Sequence, residues 1–439
     1  MTRLLATVEL SSRGGRRALA RLADRNREVL DPGLTRQVER IVRSVRRKGD
    51  AALLEAVHRF DHLAAGLTTL PPTVAAVRLP VPAAAEVAAS LPPGFAGALE
   101  VSIEAVEVYH RRQVHPGYRM DADGVELVER RLPLARVACY VPGGRASYPS
   151  TAVMTVVPAR VAGVPEVVVM TPPASWHANP ALRYTLARLG VEEVWGMGGA
   201  HAVAALAYGT ATVPRADKIV GPGNAWVTAA KRRVAGDVAI DGIAGPSEVV
   251  VVADGDADPG LLAADLLAQA EHDPRAAAIL VTRDSRLARA VEGELEAQLP
   301  ALSTAAVARE SLRTFGTAFL VADLDEALAV VEALAPEHLQ LVGPGAEGLA
   351  ERVERSGAVF VGAATGEVFG DYVAGPSHVL PTGGSARFAS ALGVEDFVRR
   401  SHTIRLDQAA AGRLAPSAAV LADAEGLPAH AAAARRRLL

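Results

Sequence analysis

The chain has 439 residues, half of them apolar, which exceeds the ~250–300 residues over which one hydrophobic core usually grows, so at least two domains are expected. Its 46 basic and 49 acidic residues leave a formal charge of −3, too small a field to favour nucleic acid or an anionic membrane. Cys139 is the only cysteine, which excludes an internal disulfide and every thiolate cluster for zinc or iron–sulfur, so a metal would have to be held by nitrogen and oxygen.

The arginine-rich N-terminus contains Arg16-Arg17, but Arg21 and Asp24 interrupt what would be the apolar core of an export signal. Glu9, Asp24 and Glu28 argue against a transit peptide. No apolar run approaches the ~18 residues of a membrane helix. The cytoplasm is therefore the expected location.

Residues 35–60 carry apolar side chains at Val38, Ile41, Val42, Val45, Leu53 and Val57 with charged residues between them, the pattern of an amphipathic helix. From about residue 138 short valine-rich runs alternate with alanine-rich stretches across glycine and proline turns, the signature of parallel α/β architecture. Strands are expected at 167–170, 193–195 and 217–220, with helices near 180–189 and 201–208. A second group of strands is expected at 248–252, 278–281, 318–321 and 358–361. Beyond Leu392 there is little strand signal, and the tail closes in an alanine- and arginine-rich helix from Ala432.

Several short motifs could carry chemistry. Trp195-Gly-Met-Gly198-Gly-Ala-His201 follows a strand and opens a helix, so its amides could face an anion. His201 stands where a dinucleotide fingerprint has its third glycine, and a tight turn explains the segment equally well. Gly221-Pro-Gly223-Asn224 offers a close backbone approach and a side chain able to reach a ribose or phosphate, or simply a turn. Gln269-Ala-Glu-His272 ends a helix that starts at Asp258-Pro259, and the three-residue spacing puts Gln269 and His272 on one face. Pro336-Glu337-His338 sets a carboxylate beside an imidazole, as general acid–base chemistry requires. Asp371 and His378 lie in a glycine- and proline-rich loop, and Glu425 and His430 in the C-terminal tail.

Taken together and in order, these segments resemble the histidinol dehydrogenase family over almost the whole chain. The strongest matches are Tyr140-Val-Pro-Gly-Gly-Arg-Ala-Ser-Tyr-Pro-Ser150, Gly221-Pro-Gly-Asn224, Ala244-Gly-Pro-Ser-Glu248, Gln269-Ala-Glu-His272, Pro336-Glu-His338 and 370–382. The resemblance implies zinc held by Gln269, His272, Asp371 and His430, a thiolate-free set in keeping with the cysteine count. It implies Glu337 and His338 as the acid–base pair of a four-electron oxidation of L-histidinol to L-histidine by two NAD, the last step of histidine biosynthesis. Ser247, His378 and Glu425 match positions that contact substrate alongside the metal ligands and His338. Tyr140, His201 and Asn224 match positions that contact NAD.

Two departures stand out, His201 where the family usually has glutamine and Ser377 where asparagine is more usual. The former bears on NAD affinity. Cys139 is expected to be a buried, inert thiol. The resemblance further implies a homodimer in which the tail crosses to the other subunit, so that Glu425 and His430 complete the partner's site. The expected fold is α/β, with two Rossmann-like, incomplete nucleotide-fold domains plus small helical segments at both ends. A helical arm would occupy 1–33, and the first α/β domain, with most of the metal and catalytic residues, 34–138 and 247–392. The second, with the NAD contacts, would span 139–246, and the tail 393–439. The alternative is a related zinc and NAD alcohol dehydrogenase acting on another small alcohol, such as a sulfonated diol.

Overall fold

The computed structural model describes residues 3–25, 31–63, 66–143 and 148–437. Its architecture is mixed α/β, built around two six-stranded sheets flanked by helices. In the first sheet the spatial order is Ala6–Glu9, Thr317–Leu320, Ala277–Thr282, Glu248–Ala253, His338–Val342, Ala358–Val361, with every neighbour parallel. Counted from Glu248–Ala253, the last five strands to enter run 3-2-1-4-5 across the sheet. The second sheet runs Arg78–Leu79, Val194–Gly196, Glu166–Thr171, Arg136–Tyr140, Lys218–Val220, Ala239–Ile240. Its strands from 136 onward repeat the order 3-2-1-4-5, and Arg78–Leu79 is added antiparallel at one edge. Central strands with helices on both faces must be apolar throughout, and Glu248–Ala253 and Ala277–Thr282 are buried at every residue.

The seven strands expected from the sequence all form, each within a residue or two of its expected limits. Four features differ. The helix expected over 35–60 is broken: Pro32–Lys48 stops at Gly49, whose φ of +57° leaves the helical region, and the chain restarts as Asp50–Ala56 followed by a π-helical turn at Val57–His62. The grouping of 34–138 with the first sheet also fails. Val38, Val42 and Val45 pack with Met170, Trp195 and Ile219 of the second sheet and with the helices that cover it, because that is where their apolar stripe is buried. Arg136–Tyr140, moreover, is the central strand of the second sheet, so a boundary at 138 would cut through it.

The N-terminal arm is more than helical, since Ala6–Glu9 extends the first sheet along Thr317–Leu320. The tail, finally, contains a nine-residue strand, Val398–Leu406, antiparallel to Val125–Pro133, which in turn pairs with Tyr118–Ala122. Charged residues fill much of Val398–Leu406 because this sheet lies mostly in solvent, so the apolar signal of a core strand is missing. Helices Gln408–Ala424 and Pro428–Arg435 complete the tail. Among the described residues no helix is long and apolar enough to cross a membrane.

Candidate active site

Glu337 and His338 stand at the N-terminal end of strand His338–Val342, next in the sheet to Glu248–Ala253, which is preceded by Ser247. The preceding helix Leu324–Leu334 ends at Ala335, a buried non-glycine residue in the left-handed region with φ +48°. Such a conformation costs of order 1 kcal/mol or more and turns the chain directly into Pro336-Glu337-His338. Both side chains are buried.

Two helices converge on the imidazole of His338. Helix Pro259–Ala270, capped by Asp258 with Pro259 in its first turn as the sequence indicates, ends by presenting Gln269, whose Oε1 lies 3.1 Å from His338 Nδ1. The short helix Glu367–Tyr372 brings Glu367 Oε2 to 3.5 Å from the same nitrogen and Asp371 Oδ1 to 3.8 Å from Nε2. His272, two residues past the first of these helices, is exposed but near enough for its charge to bear on both His338 and His378. His378 Nδ1 donates to the carbonyl of Asp371, 3.0 Å away, and Nε2 lies 3.5 Å from Thr151 Oγ1. Ser377 donates to the carbonyl of Met154. The 373–384 loop thereby ties the first sheet to the helix Pro149–Val161 that covers the second.

The electrostatics follow from burial. Removal from water pushes the Glu337 carboxyl well above the usual range, helped by the like charges of Glu248 and Asp371, while a hydrogen bond from Ser247 pulls the other way. Burial lowers the His338 imidazole to about 4, so at neutral pH it is uncharged and has one nitrogen free to take a proton. His378 is lowered for the same reason. Three polar groups here are buried without a hydrogen-bond partner: Gln269 Nε2, Glu337 Oε2 and both oxygens of Glu367. Buried orphans of this kind cost about 1–3 kcal/mol each and concentrate where a ligand is to be bound.

Glu425 and His430 are exposed on the tail and stand apart from this cluster, their helices packing chiefly on each other. Among the described residues no group of three His, Cys, Asp or Glu side chains is close enough to hold a metal within one chain. Cys139 is fully buried at the centre of the second sheet and its thiol is pushed up to about 12 by burial, as expected of an inert cysteine.

The expected NAD residues line the C-terminal edge of the second sheet. Tyr140 Oη accepts the Gly199 amide at 3.4 Å, and Asn224 caps helix Ala225–Val234 by accepting the amides of Trp226 and Val227. His201 Nε2 lies 2.7 Å from Asp61 Oδ2 inside the protein, and Asp61 also accepts the Gly198 amide. That nitrogen of His201 is therefore spoken for by the chain itself. Residues 144–147 of the Tyr140–Ser150 motif lie outside the described residues.

Sequence reading assigned no role to Glu367, Glu248 or Asp61. Glu367 follows Gly366 in no recognisable motif. Glu248 was visible only as the end of Ala244-Gly-Pro-Ser-Glu248. Asp61 sits in an unremarkable charged stretch, and none of the three announces its partner through sequence spacing.

Two largely parallel sheets, with a buried imidazole and carboxylate at the end of one strand and amide and carboxylate oxygens around the imidazole, define an α/β protein with a candidate acid–base site. A sequence model of histidinol dehydrogenase matches residues 24–438. Histidinol dehydrogenase from Rhizobium meliloti (strain 1021) is 47% identical over 402 residues, 91% of each chain, and that of Methylococcus capsulatus (strain ATCC 33009 / NCIMB 11132 / Bath) is 46% identical over 413 residues, 94% of this chain and 93% of the relative. The crystal structure of histidinol dehydrogenase from Elizabethkingia anophelis superimposes with a TM-score of 0.88 at 30% identity, covering 100% of this chain and 99% of that one. The chain belongs to the histidinol dehydrogenase family and is an NAD-dependent oxidoreductase of histidine biosynthesis.

Proposed function

We propose that Glu337 and His338 carry the proton transfers of a four-electron oxidation of L-histidinol, beside a zinc ion held by Gln269, His272 and Asp371 of one subunit and His430 of the partner subunit. The observation that carries this reading is the position of His338, neutral and buried, between Gln269 Oε1 at 3.1 Å and Asp371 Oδ1 at 3.8 Å. The oxygen and nitrogen donor set of Gln269, His272, Asp371 and His430 suits a borderline cation without thiolates. When bound, zinc with one carboxylate and three neutral ligands keeps about one net positive charge and binds the imidazole and amino nitrogens of the substrate.

His338 takes the hydroxyl proton while the carbon-bound hydrogen leaves as hydride to the first NAD, giving bound histidinaldehyde. Glu337, whose raised pKa makes its ionised form the stronger base, removes a proton from water as that water adds to the aldehyde. Hydride loss from the hydrate to a second NAD leaves the carboxylate. One water is consumed, and two NADH and three protons are released per histidinol. Ser247 and His378, with Glu425 of the partner subunit, border the substrate. Tyr140, His201 and Asn224 border NAD, with His201 acting through its other ring nitrogen or its ring face because Asp61 occupies Nε2.

The 3-2-1-4-5 order in both sheets supports reading each as an incomplete nucleotide fold. The working unit is a homodimer. The deciding experiment measures NADH formed per histidinol consumed, before and after chelation and after zinc is restored. Two NADH per histidinol, lost on chelation and regained with zinc, is the expected result. Turnover of a sulfonated diol in preference to histidinol, or one NADH per alcohol, would assign the site to another small alcohol.

A further inference from the structure

Glu367 is almost completely buried, both of its oxygens lack a hydrogen-bond partner, and burial together with Asp371, Glu337 and Asp265 disfavours its charge. A buried carboxyl with two unmet acceptors is a standing cost to the fold, so it calls for a role that the acid–base pair and the proposed metal ligands do not include. Its oxygen Oε2 lies 3.5 Å from His338 Nδ1.

Among the described residues the only other acceptor at that nitrogen is Gln269 Oε1 at 3.1 Å. Gln269 is also proposed to give its amide oxygen to the metal, and an oxygen drawn to a cation is a poorer acceptor for the imidazole hydrogen. His338 needs Nδ1 protonated if Nε2, on the side of Asp371, is to be the base. Phe360, 5.9 Å from the His338 ring centre, packs against the imidazole but offers it no acceptor.

We propose that Glu367 is the positioning residue of His338, a carboxyl partner that holds Nδ1 as the protonated nitrogen and so keeps Nε2 bare for the substrate hydroxyl. The inference rests on the reading of His338 as the base. The arrangement is the histidine–carboxylate orientation seen wherever an imidazole must present one chosen nitrogen. Glu367 sits in a six-residue helix whose other end carries Asp371, so one short element sets both the tautomer of the base and a proposed metal ligand.

The test uses Glu367→Leu and Glu367→Gln in the zinc-loaded dimer. Loss of an orienting partner of this kind typically costs 10- to 100-fold, so kcat for histidinol in Glu367→Leu is expected to fall by about that factor. KM for histidinol and zinc content should stay within about twofold, since no binding contact is removed. Glu367→Gln, which keeps an acceptor oxygen, should recover part of kcat. Nitrogen-15 spectra of histidine-labelled enzyme supply a readout independent of turnover: His338 should show a bare Nε2 in the unsubstituted enzyme and a mixture of tautomers in Glu367→Leu.

An unchanged kcat in a folded, zinc-replete Glu367→Leu protein, or an unchanged tautomer, overturns the proposal. A parallel fall in zinc content or a rise in histidinol KM overturns it in favour of a direct binding role. The His338→Ala variant separates this from the reading beneath it. Retained turnover there removes His338 as the base, whereas an inactive His338→Ala beside a fully active Glu367→Leu removes only the positioning role.

Discussion

Glu248 Oε1 accepts the backbone amide of Glu337 at 3.0 Å and that of Gly383 at 2.8 Å, while its Oε2 meets the guanidinium of Arg25 in a buried ion pair. Arg25 also donates to the carbonyls of Pro246 and Ser247. One carboxylate thus fastens the N-terminal helix, the Glu337-His338 dipeptide and the loop after His378. Removing one partner from a buried pair leaves the other charge uncompensated, which typically costs 3–5 kcal/mol. Glu248→Ala is expected to lower unfolding stability by about that amount and to reduce turnover as Glu337 loses its anchor. Urea denaturation followed by far-UV circular dichroism measures the first effect. A loss below about 1 kcal/mol would show that Glu248 is not the fastening point, by the standard of exposed pairs.

In the proposed reaction Glu337 and His338, adjacent in sequence, divide the task. Glu337→Gln keeps the shape and removes the base proposed for water activation, so oxidation of histidinol to the aldehyde should persist while aldehyde oxidation slows. Loss of a general base typically costs about 10²–10⁴-fold. Separate assays with histidinol and histidinaldehyde distinguish the steps, and an equal loss in both would rule out this division of labour.

The candidate site residues were legible in the sequence as types and motifs, but their geometry was not. Capping at Asp258-Pro259 announced the helix whose last turn carries the buried Gln269, whereas His272, expected on the same helix face, falls two residues beyond its end and is exposed. Parallel strands were legible because burial on both faces writes continuous valine runs. Val398–Leu406 was not, since a solvated antiparallel strand needs no such run. The partnering of 34–111 with the second sheet was hidden because an apolar stripe states that a helix is buried, not against what. Asp61 with His201, 140 residues apart, and Glu367 with His338 depend on tertiary folding alone.

Cys139 tests the placement of the second sheet. It is wholly buried in the central strand, and desolvation carries its thiol up to about 12, so almost no thiolate exists at neutral pH. Iodoacetamide should leave the native enzyme unlabelled and fully active while labelling it rapidly in denaturant. Fast native labelling, followed by mass spectrometry, would place Cys139 outside the core.

His110 gives a pH dependence of stability. It is buried on helix Phe95–Arg111, its Nδ1 lies 2.7 Å from the carbonyl of Val106, and burial lowers its pKa below the ordinary 6.5. The unfolded chain therefore binds a proton near pH 6.5 that the folded chain refuses. Stability from this group is complete above that pH and is lost as pH falls toward the folded-state value, by at most about 1.4 kcal/mol per pH unit. His110→Gln should flatten the fall of the urea midpoint between about pH 6.5 and 5 relative to the unsubstituted enzyme. Parallel curves for the two proteins would show that His110 does not couple folding to protons.

The tail supplies the strictest test of assembly. Gln269 and Asp371 flank His338 within one chain, whereas His430 and Glu425 are exposed on helical elements of the tail apart from that cluster. In a shared site, a His430→Ala subunit and a Glu337→Gln subunit each spoil both sites of their own homodimer. In the mixed dimer both lesions fall in one site and the other is intact. Two preparations each deficient in the full conversion of histidinol to histidine, allowed to exchange subunits, should therefore regain that conversion, approaching about a quarter of the unsubstituted level when random pairing makes half the dimers mixed with one good site each. Native mass spectrometry of tagged subunits verifies exchange independently. Exchange without recovered activity would mean that His430 serves the chain that carries it, and the tail would then have to fold back across its own subunit to reach Gln269.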